Sequence, residues 1–223
     1  MLPRDLDILA NPTTLISQFM NRSSKRRIVL AITGASGAIY GLRVLEELLR
    51  DEMIETHLII SPSAKKVLAI ELNLKLNLDR FDPVALKVPK AERVIYHHYA
   101  DLEAPMASGS YRVDYMAIVP CTMGCAAAIA RGLADDLIQR SADVMLKERR
   151  PLLIVPRETP LSVIHLENLT ALAKLGVLVL PACPGFYGKP RKASELVDFI
   201  AARVLDHLQV KHRLGPRWGE GDF

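Results

Sequence analysis

The sequence predicts an α/β protein with a doubly wound, mainly parallel sheet in a three-layer, Rossmann-like arrangement. From residue 26 onward, short apolar runs rich in β-branched residues alternate with stretches of helical periodicity. Half of the 223 residues are hydrophobic, which is enough to bury a full core in a domain of ordinary size. Alternating strands and helices favour parallel strands with helices on both faces, because each crossover helix packs back onto the sheet.

This alternation defines six strands and the helices between them. The predicted strands are 28–33, 56–61, 94–97, 115–120, 151–156 and 177–181. Helices are predicted after the glycines that follow the first strand, over 63–71, after the small residues that follow the fourth strand, and over 135–149, 161–176 and 193–208. Gly176 ends the fifth of these helices as a C-cap. Residues 73–92 are predicted to form a loop with a short element, residues 1–25 an extension, and 211–223 a tail.

Composition excludes several classes of protein. The 29 Lys and Arg against 25 Asp and Glu give a net charge of only +4, and no basic tract carries interleaved aromatic residues, which argues against nucleic acid. No apolar run reaches transmembrane length, and the first 25 residues lack the apolar core of a signal peptide. The cysteines Cys121, Cys125 and Cys183 form neither a disulfide framework nor a metal-ligand pattern, so we expect a reducing cytoplasm and no metal.

The stretch RRIVLAITGASGAIYG places Gly34, Gly37 and Gly41 between the first strand and its helix. A strand, a glycine turn and a helix together aim backbone N–H groups at an anion, and Ser36 adds a hydroxyl at the same point. The glycine spacing is not the dinucleotide pattern G-x-G-x-x-G. The second strand ends at Ser61 rather than at an acidic residue, which counts against NAD and favours a mononucleotide or another cofactor.

Other small, hydroxylated or charged groups follow the remaining strands. Thr122 is a predicted N-cap, and the alanines of its helix leave room for a flat ligand or serve only close packing. Arg157 and Glu158 follow the fifth strand, and a loop that includes Tyr187 follows the sixth. Because the carboxyl ends of parallel strands share one edge, these groups are predicted to meet there with the glycine turn.

At this point several motifs become recognisable: TGASGAIYG, ASGS, PCT-G, ADVMLKERRPLLIVPRETPL, HLEN, PGFY and PRW. Together, from about residue 26 to residue 219, they resemble the flavin prenyltransferase family of the UbiX type. The resemblance implies a flavoprotein fold with one FMN-binding domain over 26–210. It also implies transfer of a dimethylallyl group from dimethylallyl phosphate to N5 and C6 of reduced FMN. The prenylated FMN would serve a UbiD-type decarboxylase, and the enzyme would be a homododecamer with no membrane partner.

The resemblance also assigns residues to roles. The residues implied to hold FMN are Gly34, Ala35, Ser36, Ser61, Thr122, Met123, Gly124, Cys125 and Arg157. Those implied to surround the prenyl phosphate are Arg140, Lys147, Tyr187 and Arg203, with Arg157 and Glu158 nearby. Glu71 matches a glutamate that the family brings from a neighbouring subunit, and Trp218 an aromatic residue that lies against the prenyl group, so the 211–223 tail would contribute to the site. Cys125 departs from the family, in which a hydroxyl residue is common, so Thr122 could make that FMN contact instead.

The residue types also suit this chemistry in their own right. Arg140, Lys147 and Arg203 suit the charge on a departing phosphate, and an indole such as Trp218 stabilises an allylic cation. The chain has no D-D-x-x-D motif for Mg²⁺, so a metal-free mechanism is expected. Glu158 is the candidate acid and base, and Ser36 a candidate proton relay near flavin N5.

Three alternative functions remain at this stage. One is a direct aromatic-acid decarboxylase, which is how the family was formerly described. Another is a non-catalytic FMN-binding regulatory subunit, which could lack the predicted cationic cluster. The third is an FMN-dependent cysteine decarboxylase, which would need a catalytic histidine and an Asn-containing turn where this chain has CTMGCA.

Overall fold

The computed structural model describes residues 25–215 and 217–219. Six strands form one sheet in the order β3-β2-β1-β4-β5-β6, and every recorded pairing is parallel. The strands are β1 (Arg26–Ile32), β2 (Ile54–Ile60), β3 (Ile95–His97), β4 (Tyr115–Cys121), β5 (Leu152–Pro156) and β6 (Leu178–Val179). This is the doubly wound order, and it confirms the predicted fold class.

Six α-helices cover the two faces of this sheet. They are α1 (Ala38–Arg50), α2 (Pro62–Leu72), α3 (Met123–Ala130), α4 (Leu137–Lys147), α5 (Val163–Lys174) and α6 (Ala193–His207). One apolar core packs α1, α2 and α6 on the first face. A second core packs α3, α4 and one turn of α5 on the other face. The two cores confirm the three-layer arrangement.

The order of strands reverses between β1 and β4, which is where ligands bind in doubly wound sheets. β1 pairs with β4 from Ile28 to Ala31, and beyond that pairing the two chains diverge toward α1 and α3. Gly41 lies in the first turns of α1 directly over the carbonyl of Val119, where a Cβ would overlap that oxygen. The helix therefore packs closely on β4 and brings its N-terminus to the crevice.

Two predicted elements differ from the structure. The predicted sixth core strand is only the two-residue edge strand β6, and Leu178 is exposed because no strand or helix covers that edge among the described residues. Helix α5 is not amphipathic against the core, since only Asn168 and Leu172 are buried and Val163 and Ile164 face outward. The 73–92 loop contains two short 3-10 turns, Pro83–Leu86 and Ala91–Arg93.

The predicted N-terminal extension lies outside the described residues except for residue 25. Among the helices that the structure does describe, none has both the length and the apolar character needed to cross a bilayer.

Candidate active site

The glycine turn after β1 is held closed by a carboxylate of the same chain. Glu71, at the end of α2, accepts hydrogen bonds from Gly37 N at 3.0 Å and from Ala38 N at 3.1 Å. Gly37 has a φ of 98°, a conformation that a side chain would strain. Glu71 therefore supplies the negative charge that the N-terminus of α1 favours. Within one chain Glu71 already contacts the glycine turn, because α2 lies beside α1 in one face layer, and its contribution to the site of a neighbouring subunit stays a prediction.

The N-terminus of α2 provides the hydroxyl groups of the turn. Ser61 caps the helix by accepting from Ala64 N at 3.1 Å, and its Oγ lies 3.0 Å from Ser63 Oγ. A Cβ on Gly34 would overlap the Ser63 side chain, so the glycine permits this close approach. Sequence reasoning chose Ser61 and missed Ser63. The sequence Ser-Pro-Ser was the available signal, because Pro62 favours the first position of a helix and so places both serines at its start.

A second helix N-terminus meets the first across the switch point. The buried Thr33 hydroxyl donates to Pro120 O and accepts from Thr122 N, both at 2.8 Å. Thr122 caps α3 as predicted, since its Oγ1 accepts from Cys125 N at 3.1 Å. This network fixes the end of β1 to the start of α3. Because the Thr122 hydroxyl only accepts in this bond, it still has a proton to donate to a ligand. This fits the prediction that Thr122 could make the FMN contact in place of Cys125.

The first turn of α3 presents a smooth surface where a flat ring fits. Gly124 is exposed, and no described atom lies within 4 Å of the position that a Cβ would take there. Ala127 and Ala128 on the same helix are half-exposed, whereas Met123 points into the core. The hydroxyls of α2 could bind a phosphate, and Gly124 would leave room for a flavin ring. The residues present therefore fit FMN, although Met123 offers only its backbone.

The thiol of Cys121, beside this surface, is not a nucleophile. A hydrogen bond with Cys125, together with complete burial, raises the pKa of Cys121 well above its usual range. Cys125 itself is half-buried and Cys183 exposed. Since the thiolate is the reactive form, Cys121 acts as a small apolar residue at the end of β4.

Arg157 connects the end of β5 to the glycine turn. Its Nε donates to Ser36 O at 3.0 Å, which fixes the carbonyl of Ser36 and leaves that residue exposed. Glu158 is exposed as well, and its Oε1 accepts from Thr159 N at 3.1 Å. Burial, reinforced by the charge of Cys183 and opposed by Arg157, raises the pKa of Tyr40 in the same region. The loop after β6 thus approaches the glycine turn, as the common-edge prediction required.

Tyr187, Arg203 and Trp218 line one cavity of about 260 Å³. The Tyr187 ring meets the Trp218 ring edge-on, with centroids 5.2 Å apart and planes at 90°. Arg203 of α6 lies 3.4 Å from Asp206 and is half-exposed. The cavity is also lined by Phe199, His212, Asp206 and Arg217, so it combines two guanidinium groups and one carboxylate with aromatic rings. The excess of positive charge suits an anionic ligand that carries an apolar group.

Arg140 and Lys147 do not join this cavity within one chain. Arg140 Nε donates to Ala107 O at 3.0 Å, and Lys147 pairs with Glu148 at 2.6 Å over the backbone of Gly109. Both side chains therefore lie on one face of α4, as predicted, against the 104–111 loop. That face belongs to the layer opposite α6. Within one chain the sheet separates Arg140 and Lys147 from Arg203, so the joint phosphate site expected from sequence would need more than one subunit and stays a prediction.

A polar network under the 104–111 loop was also missed. His57 Nδ1 lies 2.9 Å from His97 Nε2, and His57 Nε2 lies 3.0 Å from Glu55, which also binds Arg27 and Tyr111. Burial lowers the pKa of His97 to about 4. His57 and His97 are 40 residues apart, so no local sequence pattern predicts their contact. In the described part of the chain, no group of three or more His, Cys, Asp or Glu residues could hold a metal ion.

Comparison with known proteins identifies the family. The flavoprotein family profile matches residues 16–205. Flavin prenyltransferase UbiX of Pseudomonas aeruginosa PAO1 is 45% identical over 205 residues, covering 89% of this chain and 96% of the relative. This chain belongs to the flavoprotein family, in its UbiX-type flavin prenyltransferase group. The resemblance predicted from sequence is confirmed.

Solved structures of this group share the fold closely. AnUbiX in complex with FMN and dimethylallyl pyrophosphate is 40% identical, with a TM-score of 0.79, covering 89% of this chain and 100% of that chain. A dodecameric FMN-dependent UbiX-like decarboxylase from Escherichia coli O157:H7 is 39% identical, with a TM-score of 0.78, covering 86% and 98%. The FMN-dependent cysteine decarboxylase TvaF is only 16% identical with a TM-score of 0.51, so it shares the fold alone.

Proposed function

We propose that this UbiX-type protein is a flavin prenyltransferase, which moves the dimethylallyl group of dimethylallyl phosphate onto N5 and C6 of reduced FMN. Reduced FMN supplies the nucleophilic nitrogen and the ring carbon that accept the prenyl group. The observation that carries the proposal is the cavity that Arg203, Tyr187 and Trp218 line together. A cation beside two aromatic rings suits a phosphate ester whose carbon becomes positive as the phosphate leaves.

The FMN cradle is the other half of the proposal. Ser61 and Ser63 at the start of α2 offer hydroxyls 3.0 Å apart to the FMN phosphate. Gly124 and the Thr122 hydroxyl receive the flavin ring at the start of α3. Arg157 holds Ser36 at the edge of the cradle, where an exposed hydroxyl can carry a proton. Phosphate binding at a helix N-terminus needs only these donors and the helix dipole.

Glu158 is proposed to move the protons of the reaction. Its carboxylate is exposed and adjoins Arg157, so it can protonate the leaving phosphate and later accept a ring proton. Tyr187 and Arg203 would hold that phosphate. The cation that forms when the C–O bond breaks would be stabilised by the face of the Trp218 indole.

Subunits are proposed to share the site in a homododecamer. Arg140 and Lys147 lie in the layer opposite Arg203, and Trp218 is 75% exposed in the single chain. A neighbouring subunit could bring the first pair to the cavity of the second and cover the indole. We further propose that prenylated FMN passes to a UbiD-type decarboxylase in the cytoplasm.

Mass spectrometry of the flavin tests the reaction. Purified protein is mixed with reduced FMN and either dimethylallyl phosphate or the diphosphate, without oxygen. We expect the flavin to gain one C5H8 unit, with release of the phosphate, and the comparison identifies the preferred donor. Glu158→Gln should slow the reaction at least about a hundredfold, the usual contribution of a general acid–base. Glu167→Gln, an exposed glutamate on α5, is the matched control. Unmodified flavin with either donor would refute the proposal, and consumption of an aromatic acid without a partner enzyme would favour the decarboxylase.

A further inference from the structure

The C-terminal tail turns back onto α6 through a single carboxylate. Asp206, in the last turn of α6, accepts hydrogen bonds on Oδ1 from Arg217 at 2.7 Å and from His212 Nε2 at 3.0 Å. Its Oδ2 lies 3.4 Å from Arg203. One side chain therefore connects the helix to two positions of the tail and to the guanidinium of the proposed phosphate site.

The histidine in this contact has a defined tautomer. His212 Nδ1 accepts from Leu214 N at 3.1 Å, so Nε2 must carry the proton that it donates to Asp206. The His212 side chain is only 2% exposed, and its two bonds fix the turn between α6 and the tail. Burial alone would raise the pKa of Asp206, but the hydrogen bonds from Arg217 and His212 hold that pKa below its usual value. The carboxylate therefore stays charged across the neutral range.

The position of Trp218 follows from this contact. Arg217 precedes Trp218, whose ring meets the edge of Tyr187. Three quarters of the Trp218 surface is exposed, so burial of the indole contributes little to holding the tail in place. Hydrogen bonds to a charged group are stronger than neutral ones, and Asp206 makes two of them within the tail.

We propose that Asp206 is a positioning residue that folds the tail over α6 and sets Trp218 against Tyr187. Asp206 also lies at the wall of the cavity, but its proposed role is exerted through the tail and not through contact with the substrate. It acts by deciding where the indole lies when the prenyl phosphate enters the cavity. The effect on catalysis rests on the proposed function, whereas the effect on the tail does not.

The anisotropy decay of tryptophan fluorescence tests the contact directly. Trp218 is the only tryptophan of the chain, so the signal reports the tail alone. In the wild-type protein, we expect the indole to tumble with the whole particle. Asp206→Asn should add a fast component from local motion of the tail. Prenylation kinetics with dimethylallyl phosphate give the second measurement, and we expect kcat/KM to fall about tenfold, the factor for losing one charged hydrogen bond.

The direction of the kinetic change separates positioning from electrostatics. Asp206 is an anion beside Arg203, so removing its charge without moving the tail should strengthen phosphate binding and raise kcat/KM. Asp198→Asn is the matched control, because Asp198 lies on the same helix and pairs with Arg43 of α1 at 2.6 Å. We expect Asp198→Asn to leave both the anisotropy and kcat/KM unchanged within about twofold, less than the effect of one hydrogen bond.

A second variant keeps the test decisive if Asp206→Asn does not fold. His212→Asn preserves an acceptor for Leu214 N, but its shorter side chain no longer reaches the position from which Nε2 donates to Asp206, so it should also add the fast component. Wild-type anisotropy in whichever of the two variants folds would overturn the proposal, and so would a raised kcat/KM. If the wild-type protein does not prenylate FMN, the proposed function fails while the anisotropy still decides whether Asp206 holds the tail.

Discussion

Replacing Gly124 by alanine should separate cofactor binding from stability. The residue lies in the first turn of α3, and the position of a Cβ there has no described atom within 4 Å. The added methyl group would therefore meet no atom of the described residues in the single chain. Alanine favours a helix over glycine by up to about 1 kcal/mol, so the folded protein should be equally stable or slightly more stable. For a domain of this size, that corresponds to a rise in Tm of about 2–4 °C at most.

The same methyl group should weaken FMN binding. If the flavin ring lies on the first turn of α3, the Gly124→Ala side chain occupies the surface that the ring needs. Forcing one extra carbon into a well-packed contact costs about 1–3 kcal/mol, which raises the Kd of FMN about five- to 150-fold. Titration followed by flavin fluorescence gives the Kd, and thermal unfolding followed by circular dichroism gives the Tm.

Gly34→Ala provides the contrasting control. A Cβ at Gly34 would overlap the Ser63 side chain, so α2 must shift and both stability and FMN binding should fall. Gly34→Ala combined with Ser63→Gly should recover part of the loss, because the overlapping side chain is removed. Unchanged FMN affinity in Gly124→Ala would show that the flavin does not lie on α3, and a large loss of stability would show that the open space is absent.

Three further changes probe the surroundings of the cradle. Thr33→Val keeps the shape but leaves the Thr122 N–H without its acceptor, so urea unfolding should show a loss of about 1–3 kcal/mol. Arg150→Met removes two hydrogen bonds to carbonyls of the 104–111 loop, including that of Gly109 at 2.7 Å, so amide exchange and proteolysis should accelerate in this loop while α1 stays protected. His97 has a pKa of about 4 in the folded protein and an ordinary value of 6.5 in the unfolded chain. Between these two pH values the unfolded chain binds a proton that the folded protein does not, so stability falls as pH drops from 6.5 to 4. Because the ring is only partly buried, we expect a loss of about 1–2 kcal/mol, measured by urea unfolding at pH 7 and pH 5. His97→Gln should remove the part of this loss that comes from His97, while burial, which also lowers the pKa of His57, leaves the remainder.

The features that sequence predicted well depend on local pattern. Thr122 was predicted as an N-cap and Ser61 as the end of the second strand, because each stands directly between an apolar strand and a helix. The shared edge followed from parallel alternation, since each strand then ends on the same side. Arg157 was placed there by the same logic, and its bond to Ser36 O confirms the approach of the two turns.

The features that sequence missed depend on contacts between distant parts of the chain. The bond between Glu71 and Gly37 spans 34 residues, and that between His57 and His97 spans 40. Periodicity also failed for α5, because Val163, Ile164 and Leu166 face outward while only one turn around Leu172 packs on the core. Exposed apolar residues on a helix are common at interfaces between proteins. An amphipathic pattern alone therefore does not tell whether the apolar face packs on the core of its own chain or on another protein.

The separation of Arg140 from Arg203 has a topological cause. Right-handed crossovers place α1 and α2 on one face of the sheet, because β1, β2 and β3 are laid down in one direction. From β4 to β5 the strands are added toward the opposite edge of the sheet. The crossover helix α4, which carries Arg140, must therefore lie on the other face. No strand follows α6, and the handedness rule therefore leaves its face undetermined. Packing of α6 against α1 takes Arg203 to the first face, which makes a phosphate site shared between neighbouring subunits the simplest way to use both cations.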